Sequence, residues 1–297
     1  MSSPNLTDRQ VQKLTDIHHP DYRYIRMYNE QLPSVQTLRE IVEVIREVIF
    51  PGYFGNPLVT EHTAPFHVNV NCERLYHLLL GQVSRAFSFE SGETNTRPKA
   101  EAVTLAMIDK LPDVKRLLST DVKAIYDNDP AAKNYGEIIF CYPAIKALLN
   151  YRIAHELFLM EVPLIPRIIT EMAHTETGID IHPGAVIGEY FSIDHGTGVV
   201  IGQTAIIGNH VRLYQGVTLG AKNFVLDDSG NPLDIPRHPI LEDNVTIYSN
   251  SSILGRITIG QDTIVGGNVW LTRSVPPNSR ITQSKAIESA FTDGLGI

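Results

Sequence analysis

The sequence predicts an α+β protein in which an N-terminal all-helical domain is followed by a parallel β-helix of hexapeptide repeats. Two periodicities lead there. The first 176 or so positions read as helical, with apolar residues at the three-and-four spacing of a helix face between Ser34 and Phe50, and from Ile181 the period switches to six. At 297 residues and 43% hydrophobic content the chain can bury a sizeable core.

Between Ser34 and Phe50 the apolar set Leu38, Ile41, Val42, Ile45, Val48 and Ile49 follows one helix face, and Pro51-Gly52 stops it. A second helix runs from Asn71 through Leu75, Leu78, Leu79 and Val83. Further helices are expected over Pro98 to Lys110, Thr120 to Tyr126, Pro143 to Leu159 and Pro163 to Thr175. Proline suits a first helical turn because its missing N–H has no partner there in any case. Gly178 offers a stop for the last helix.

The repeat then reads Ile181, Ile187, Ile193 and, after a slip of two residues, Ile201, Ile207, Leu213, Leu219. It resumes as Leu241, Ile247, Ile253, Ile259, Val265 and Leu271. In a β-helix each hexapeptide supplies a short flat strand and a corner, and three of them close one coil of about eighteen residues. The aliphatic anchors stack into a continuous core. Ordinary sandwich strands would alternate by two at variable spacing, which this pattern does not do. The segment from Ala221 to Pro239 breaks the register and carries Asp227, Asp228, Gly230, Pro232 and Pro236, so it is expected to be a loop leaving one corner. The expected organisation is a helical domain over 1–177, the β-helix over 178–277 with its loop at 221–239, and a tail over 278–297.

The net charge of -8, without a basic block, argues against a nucleic-acid binder. The N-terminus lacks the basic and apolar regions of a signal peptide, and no apolar run is long enough for a membrane span; a cytoplasmic location is expected. Cys72 and Cys141, the two cysteines, form no disulfide framework or zinc spacing and are expected to be small core residues.

Candidate chemistry gathers at breaks in the repeat. His195, in Asp194-His195-Gly196-Thr197-Gly198, is sterically open, and an imidazole titrating near pH 6.5 suits a general base. Asp180, fifteen residues earlier, should lie about one coil away and could orient it. Arg237 and His238 close the loop and offer a cation for a carboxylate together with a second imidazole.

The segments Asp180-Ile181-His182-Pro183-Gly184-Ala185, Asp194 to Ala205, Tyr214 to Gly220 and Arg237-His238-Pro239 together resemble, in order, the motif series of serine acetyltransferases. Asp129-Pro130-Ala131 and Tyr151-Arg152-Ile153-Ala154-His155 also match that family's helical region; the likeness covers roughly residues 98 to 277, so 96–177 is family-like and 1–95 an extension. The resemblance implies a left-handed β-helix and transfer of acetyl from acetyl-CoA to the L-serine hydroxyl at the start of cysteine synthesis. It implies His195 as general base, Asp180 as its partner, and Asp129, Asp194, Arg237 and His238 around serine. Gly220, Ala221 and Ser249 would lie along acetyl-CoA, with no metal required. Sites would form between subunits of a homotrimer, which the family often pairs into hexamers. The ending Gly294-Leu295-Gly296-Ile297 is similar to family tails whose terminal isoleucine enters O-acetylserine sulfhydrylase.

The chain departs from the family pattern at Gly220-Ala221, where two glycines are usual, in its long following loop, and at Ser279 to Ala286. Three other readings compete. A sugar-hydroxyl acetyltransferase would need no charged pair for an amino acid, so Asp129 and Arg237 discriminate against it. A zinc hydratase would draw three ligands from His182, His195, His210 and His238. A non-catalytic β-helix would release no CoA.

Overall fold

The computed structural model describes residues 8–16, 32–93, 95–223 and 225–283, and the Ile297 ending lies outside the described residues. Met1–Leu32 and Pro33–Ile297 form two compact units. The first holds helix α1 (Asp8–Leu14), and the second holds every other element. Helices α2 (Val35–Ile49), α3 (Ala64–Ser91), α4 (Arg97–Asn128), α5 (Tyr135–Cys141), α6 (Pro143–Leu159) and α7 (Ile165–Thr177) precede the β-helix.

Helix α2 follows the sequence pattern closely, with the Ser34 hydroxyl capping its start by accepting the Thr37 N–H. Helix α4 differs from expectation. The two short helices expected on either side of Pro112 are one continuous helix with that proline inside it. An interior proline costs about 3 kcal/mol, but Met107, Leu111, Val114, Leu118, Val122 and Ile125 run through the break as one buried face. Burial of that face holds the helix together. Gly178 ends α7 in the left-handed conformation at φ +69°, as the sequence suggested. Of the two cysteines, Cys72 is partly buried and Cys141 is exposed on the short α5, so the core role expected for Cys141 is not seen.

The rest of the described chain is a parallel β-helix of about five coils. Coil one contains Asp180–Ile181 (β1), Val186–Ile187 (β2) and Ser192–Asp194 (β3); coil two contains Val200–Ile201 (β4), Ile206–Ile207 (β5) and Arg212–Tyr214 (β6). Coil three contains Thr218–Gly220 (β7), Ile240–Leu241 (β8) and Thr246–Ile247 (β9), with the long loop between β7 and β8. Ser252–Leu254 (β10), Thr258–Ile259 (β11) and Ile264–Val265 (β12) make coil four, and Trp270–Leu271 (β13) and Arg280–Ile281 (β14) end the solenoid. Strands stack into three parallel sheets, β1-β4-β7-β10-β13, β2-β5-β8-β11 and β3-β6-β9-β12-β14. The hexapeptide anchors pair in register: Ile181 with Ile201, Leu219, Ile253 and Leu271 up the first sheet, and all are buried. A second buried series, Ala185, Val199, Ala205, Val211, Val217 and Val245, sits two residues before each following anchor.

Coil one would leave an open strand edge, and helix α6 covers it. The Tyr151 hydroxyl donates to the Ala185 carbonyl at 2.7 Å, and Arg152 Nη2 donates to the Gly188 carbonyl at 2.9 Å. His155 Nδ1 lies 2.7 Å from the Pro183 carbonyl. Arg152 also forms a bidentate pair with Asp121 of α4, at 2.8 and 2.9 Å, and both side chains are buried. Asp121 in turn accepts the Phe191 N–H. One ion pair therefore joins α4, α6 and the first coil, which sets the end of α4 beside β3.

Candidate active site

The first cluster stands where α4 meets the corner after β3. Asp129 caps α4 in an extended conformation. Its Oδ1 accepts the Ala131 N–H at 2.9 Å and its Oδ2 accepts the Tyr142 hydroxyl at 2.6 Å. That short bond holds the Asp129 carboxyl below its ordinary value and pushes the Tyr142 phenol up to about 12. Across from it, Arg212 Nη2 donates to Asp194 Oδ2 at 3.0 Å and to the Asn128 carbonyl at 2.9 Å. Asp129, Asp194, Tyr142, Arg212, Asn128 and Ser192 line a cavity of about 10 Å³, room for one water-sized polar group.

His195 follows directly. The anchors Ile193 and Ile201 are eight residues apart where the other steps, the loop between Leu219 and Leu241 aside, are six, and the two extra residues bulge from this corner. His195 at φ +59°, Gly196 at +87° and Gly198 at +79° all take left-handed backbone conformations. The bulge pushes the imidazole outward to 73% exposure, with Nε2 3.6 Å from Asp194 Oδ1. Asp180 lies on β1, paired in register with Val200, and Arg167 Nη1 is 4.0 Å from its carboxylate. No hydrogen bond or ion pair joins Asp180 to His195 among the described residues; the carboxylate nearest the imidazole is that of Asp194. Glu171, His174 and Asp180 bring potential ligand atoms within 4.8 Å of one another, but the Arg167 cation stands beside both carboxylates.

The second cluster sits at the opposite edge of β4, on the corner Gly202-Gln203-Thr204. Arg237 Nη2 donates to Gln203 Oε1 at 2.8 Å, and Nη1 reaches Asp234 at 3.3 Å. His238 is buried against Gly202, where an added Cβ would fall 2.0 Å from the ring. Only glycine fits at that position. His182 lies on the same side, its Nδ1 accepting the Gly184 N–H at 3.0 Å. Burial lowers both imidazoles to about 4; Arg237 and Arg256 add to the effect on His238, and Arg167, His238 and Arg237 to that on His182.

These shifts predict an acid-sensitive fold. Unfolded imidazoles take a proton near pH 6.5 and the folded ones only near 4, so between those values the unfolded chain binds more protons. Stability should fall as pH drops from 6.5 towards 4, and His238→Gln should flatten that decline. Thermal unfolding at pH 7 and pH 5, at one protein concentration, checks it.

The remaining expected residues divide between the same two corners. Ser249, whose carbonyl accepts the Asn268 N–H, stacks above the His195 corner, since the Asn250 N–H bonds Gln215 and the Gly216 N–H bonds Thr197. Gly220 and Ala221 lie one coil above Gly202, whose N–H bonds the Leu219 carbonyl. Tyr142 and Arg212 carried no signal in the sequence. Tyr142 precedes a proline and Arg212 precedes an anchor, and neither position is distinctive until the chain is folded.

Comparison with known proteins decides what these corners belong to. Residues 238–273 match the family described as bacterial transferase hexapeptide (six repeats). The plasmid serine acetyltransferase of Synechococcus elongatus is 46% identical over 275 residues, covering 90% of this chain and 86% of that protein. The chain belongs to the serine acetyltransferase family. Serine acetyltransferase 1 of Entamoeba histolytica, in a crystal structure with L-cysteine, superimposes with a TM-score of 0.72 at 37% identity, over 86% of this chain and 89% of that one. The Neisseria gonorrhoeae serine acetyltransferase in complex with serine gives a TM-score of 0.53 at 26% identity, over 81% and 93%. As in the expected serine acetyltransferase layout, a helical region precedes the β-helix. No described helix is long and apolar enough to cross a membrane.

Proposed function

We propose that this protein transfers acetyl from acetyl-CoA to the hydroxyl of L-serine, and that each site is built from the His195 corner of one copy and the Arg237 corner of the next. The observation that carries the reading is the division of the polar groups. Two carboxylates and the open imidazole occupy one edge of β4, while Arg237 and His238 occupy the other. One small amino acid cannot span a flat face of the solenoid, but it fits between two corners brought together by a homotrimer.

Asp129 and Asp194 would receive the serine ammonium in the small cavity, and Arg237 its carboxylate. His195 would take the hydroxyl proton as the serine oxygen attacks the thioester carbon. The tetrahedral intermediate collapses by breaking the C–S bond, and the proton passes to the departing CoA sulfur. The backbone N–H at Ala221, just past the Gly220 end of the strand, would stabilise the oxyanion, a contribution of about 3 kcal/mol, and Ser249 would flank the acyl donor on the facing edge. Asp180 would support His195 once the neighbouring copy is in place. L-Cysteine offers the same ammonium and carboxylate, so it should compete with serine. Ile297 is the residue through which O-acetylserine sulfhydrylase would bind.

A thiol-release assay with acetyl-CoA across serine, homoserine and simple sugars tests the substrate. Serine should be preferred by orders of magnitude, because a site built to pair charged groups rejects ligands that lack them. Sugar-dependent release would transfer the protein to the sugar acetyltransferases. Arg237→Ala should raise the KM for serine at least tenfold while leaving that for acetyl-CoA within twofold. Equal weakening of both would mean that the loop has collapsed.

A further inference from the structure

We propose that Thr204 is a positioning residue that fixes His238 in the tautomer with a bare Nδ1 and a hydrogen on Nε2, making His238 a hydrogen-bond donor to its ligand and never a base. The proposal rests on His238 facing substrate, as argued above, but its geometry is independent of that reading. Thr204 Oγ1 accepts the Arg237 N–H at 2.9 Å and the His238 N–H at 3.1 Å. A hydroxyl oxygen has two acceptor sites and one proton. With both acceptor sites taken, its proton is left for His238 Nδ1, 2.9 Å away. The Thr204 N–H points at the same nitrogen from 3.1 Å.

Nδ1 therefore faces two donors and cannot carry a hydrogen of its own. A neutral imidazole must then hold its hydrogen on Nε2. The clamp is closed from the far side by Arg256, whose Nη1 donates to the carbonyls of Thr204 at 2.7 Å and His238 at 3.0 Å. Gly202 lies against the Nε2–Cδ2 edge of the ring, and any larger residue would displace it. No described residue accepts a hydrogen bond from Nε2, so that N–H is free for an oxygen acceptor such as the substrate carboxylate or the thioester oxygen as it gains charge. A proton-accepting role falls to His195 alone. Thr204 and His238 are 34 residues apart in sequence, and the loop return places them in contact.

Nitrogen NMR of protein carrying ¹⁵N-labelled histidine, with His238 assigned by difference from His238→Gln, reads the tautomer without reference to activity. The wild type should show the Nε2–H form across pH 5 to 8. Thr204→Val, which keeps the shape and the backbone N–H on Nδ1 but removes the hydroxyl, should shift the His238 Nδ1 resonance as one of its two donors is lost and lower kcat with serine about tenfold; Thr204→Ser should restore both. A wild-type spectrum of the Nδ1–H form would overturn the proposal even if the valine variant failed to fold. So would a folded Thr204→Val with an unchanged His238 signal. Loss of serine activity in the wild type with the tautomer as stated would instead count against the substrate assignment.

Discussion

Replacing Arg152 with alanine is expected to destabilise the protein by about 3–5 kcal/mol, the cost of leaving a buried charge without its partner. Asp121 is fully buried, and its carboxylate depends on the two guanidinium bonds and on the Phe191 N–H. Truncation also orphans the Gly188 carbonyl at the covered edge of coil one. Arg152→Lys keeps the charge but loses the planar fork, so it should recover only part of the loss. Urea unfolding at fixed protein concentration measures the difference, and a change under 1 kcal/mol would show that α6 is held to the β-helix by apolar contacts instead.

Replacing His195 with alanine should lower kcat by two to four orders of magnitude, about 3–5 kcal/mol of transition-state free energy, while the fold is kept. The side chain is mostly exposed and its left-handed backbone is shared with adjacent glycines, so its loss opens no cavity. Binding of acetyl-CoA should be little affected. A variant retaining more than a tenth of wild-type turnover would remove His195 from the role of base.

The β-helix was legible in the sequence because every rung repeats the same demand, an aliphatic anchor with small residues at the corners. Thirteen anchors read from spacing alone, from Ile181 to Leu271, are buried. The helical region was less legible, since proline is a strong local signal and Pro112 yields to a buried face that only tertiary packing creates. For the site, the irregular step between Ile193 and Ile201 marked the bulge that exposes His195. The groups that hold the site left no such trace. Arg212 reaches Asn128 across 84 residues, Arg152 reaches Asp121 across 31 and Tyr142 reaches Asp129 across 13, and no short period links those positions. Asp180, expected beside His195, is engaged by Arg167.

A site shared between two copies is open to complementation in mixed assemblies. Chains carrying His195→Ala and chains carrying Arg237→Ala, each nearly inactive alone at low serine, are coexpressed with different tags and the mixed species isolated. At a shared site, some interfaces join the intact His195 corner of one chain to the intact Arg237 corner of the other. In a mixed trimer of either composition one of the three interfaces is of that kind, so activity should rise to about a third of the wild-type level. Activity no greater than the sum of the two variants would place all the residues of a site in one chain and contradict the account.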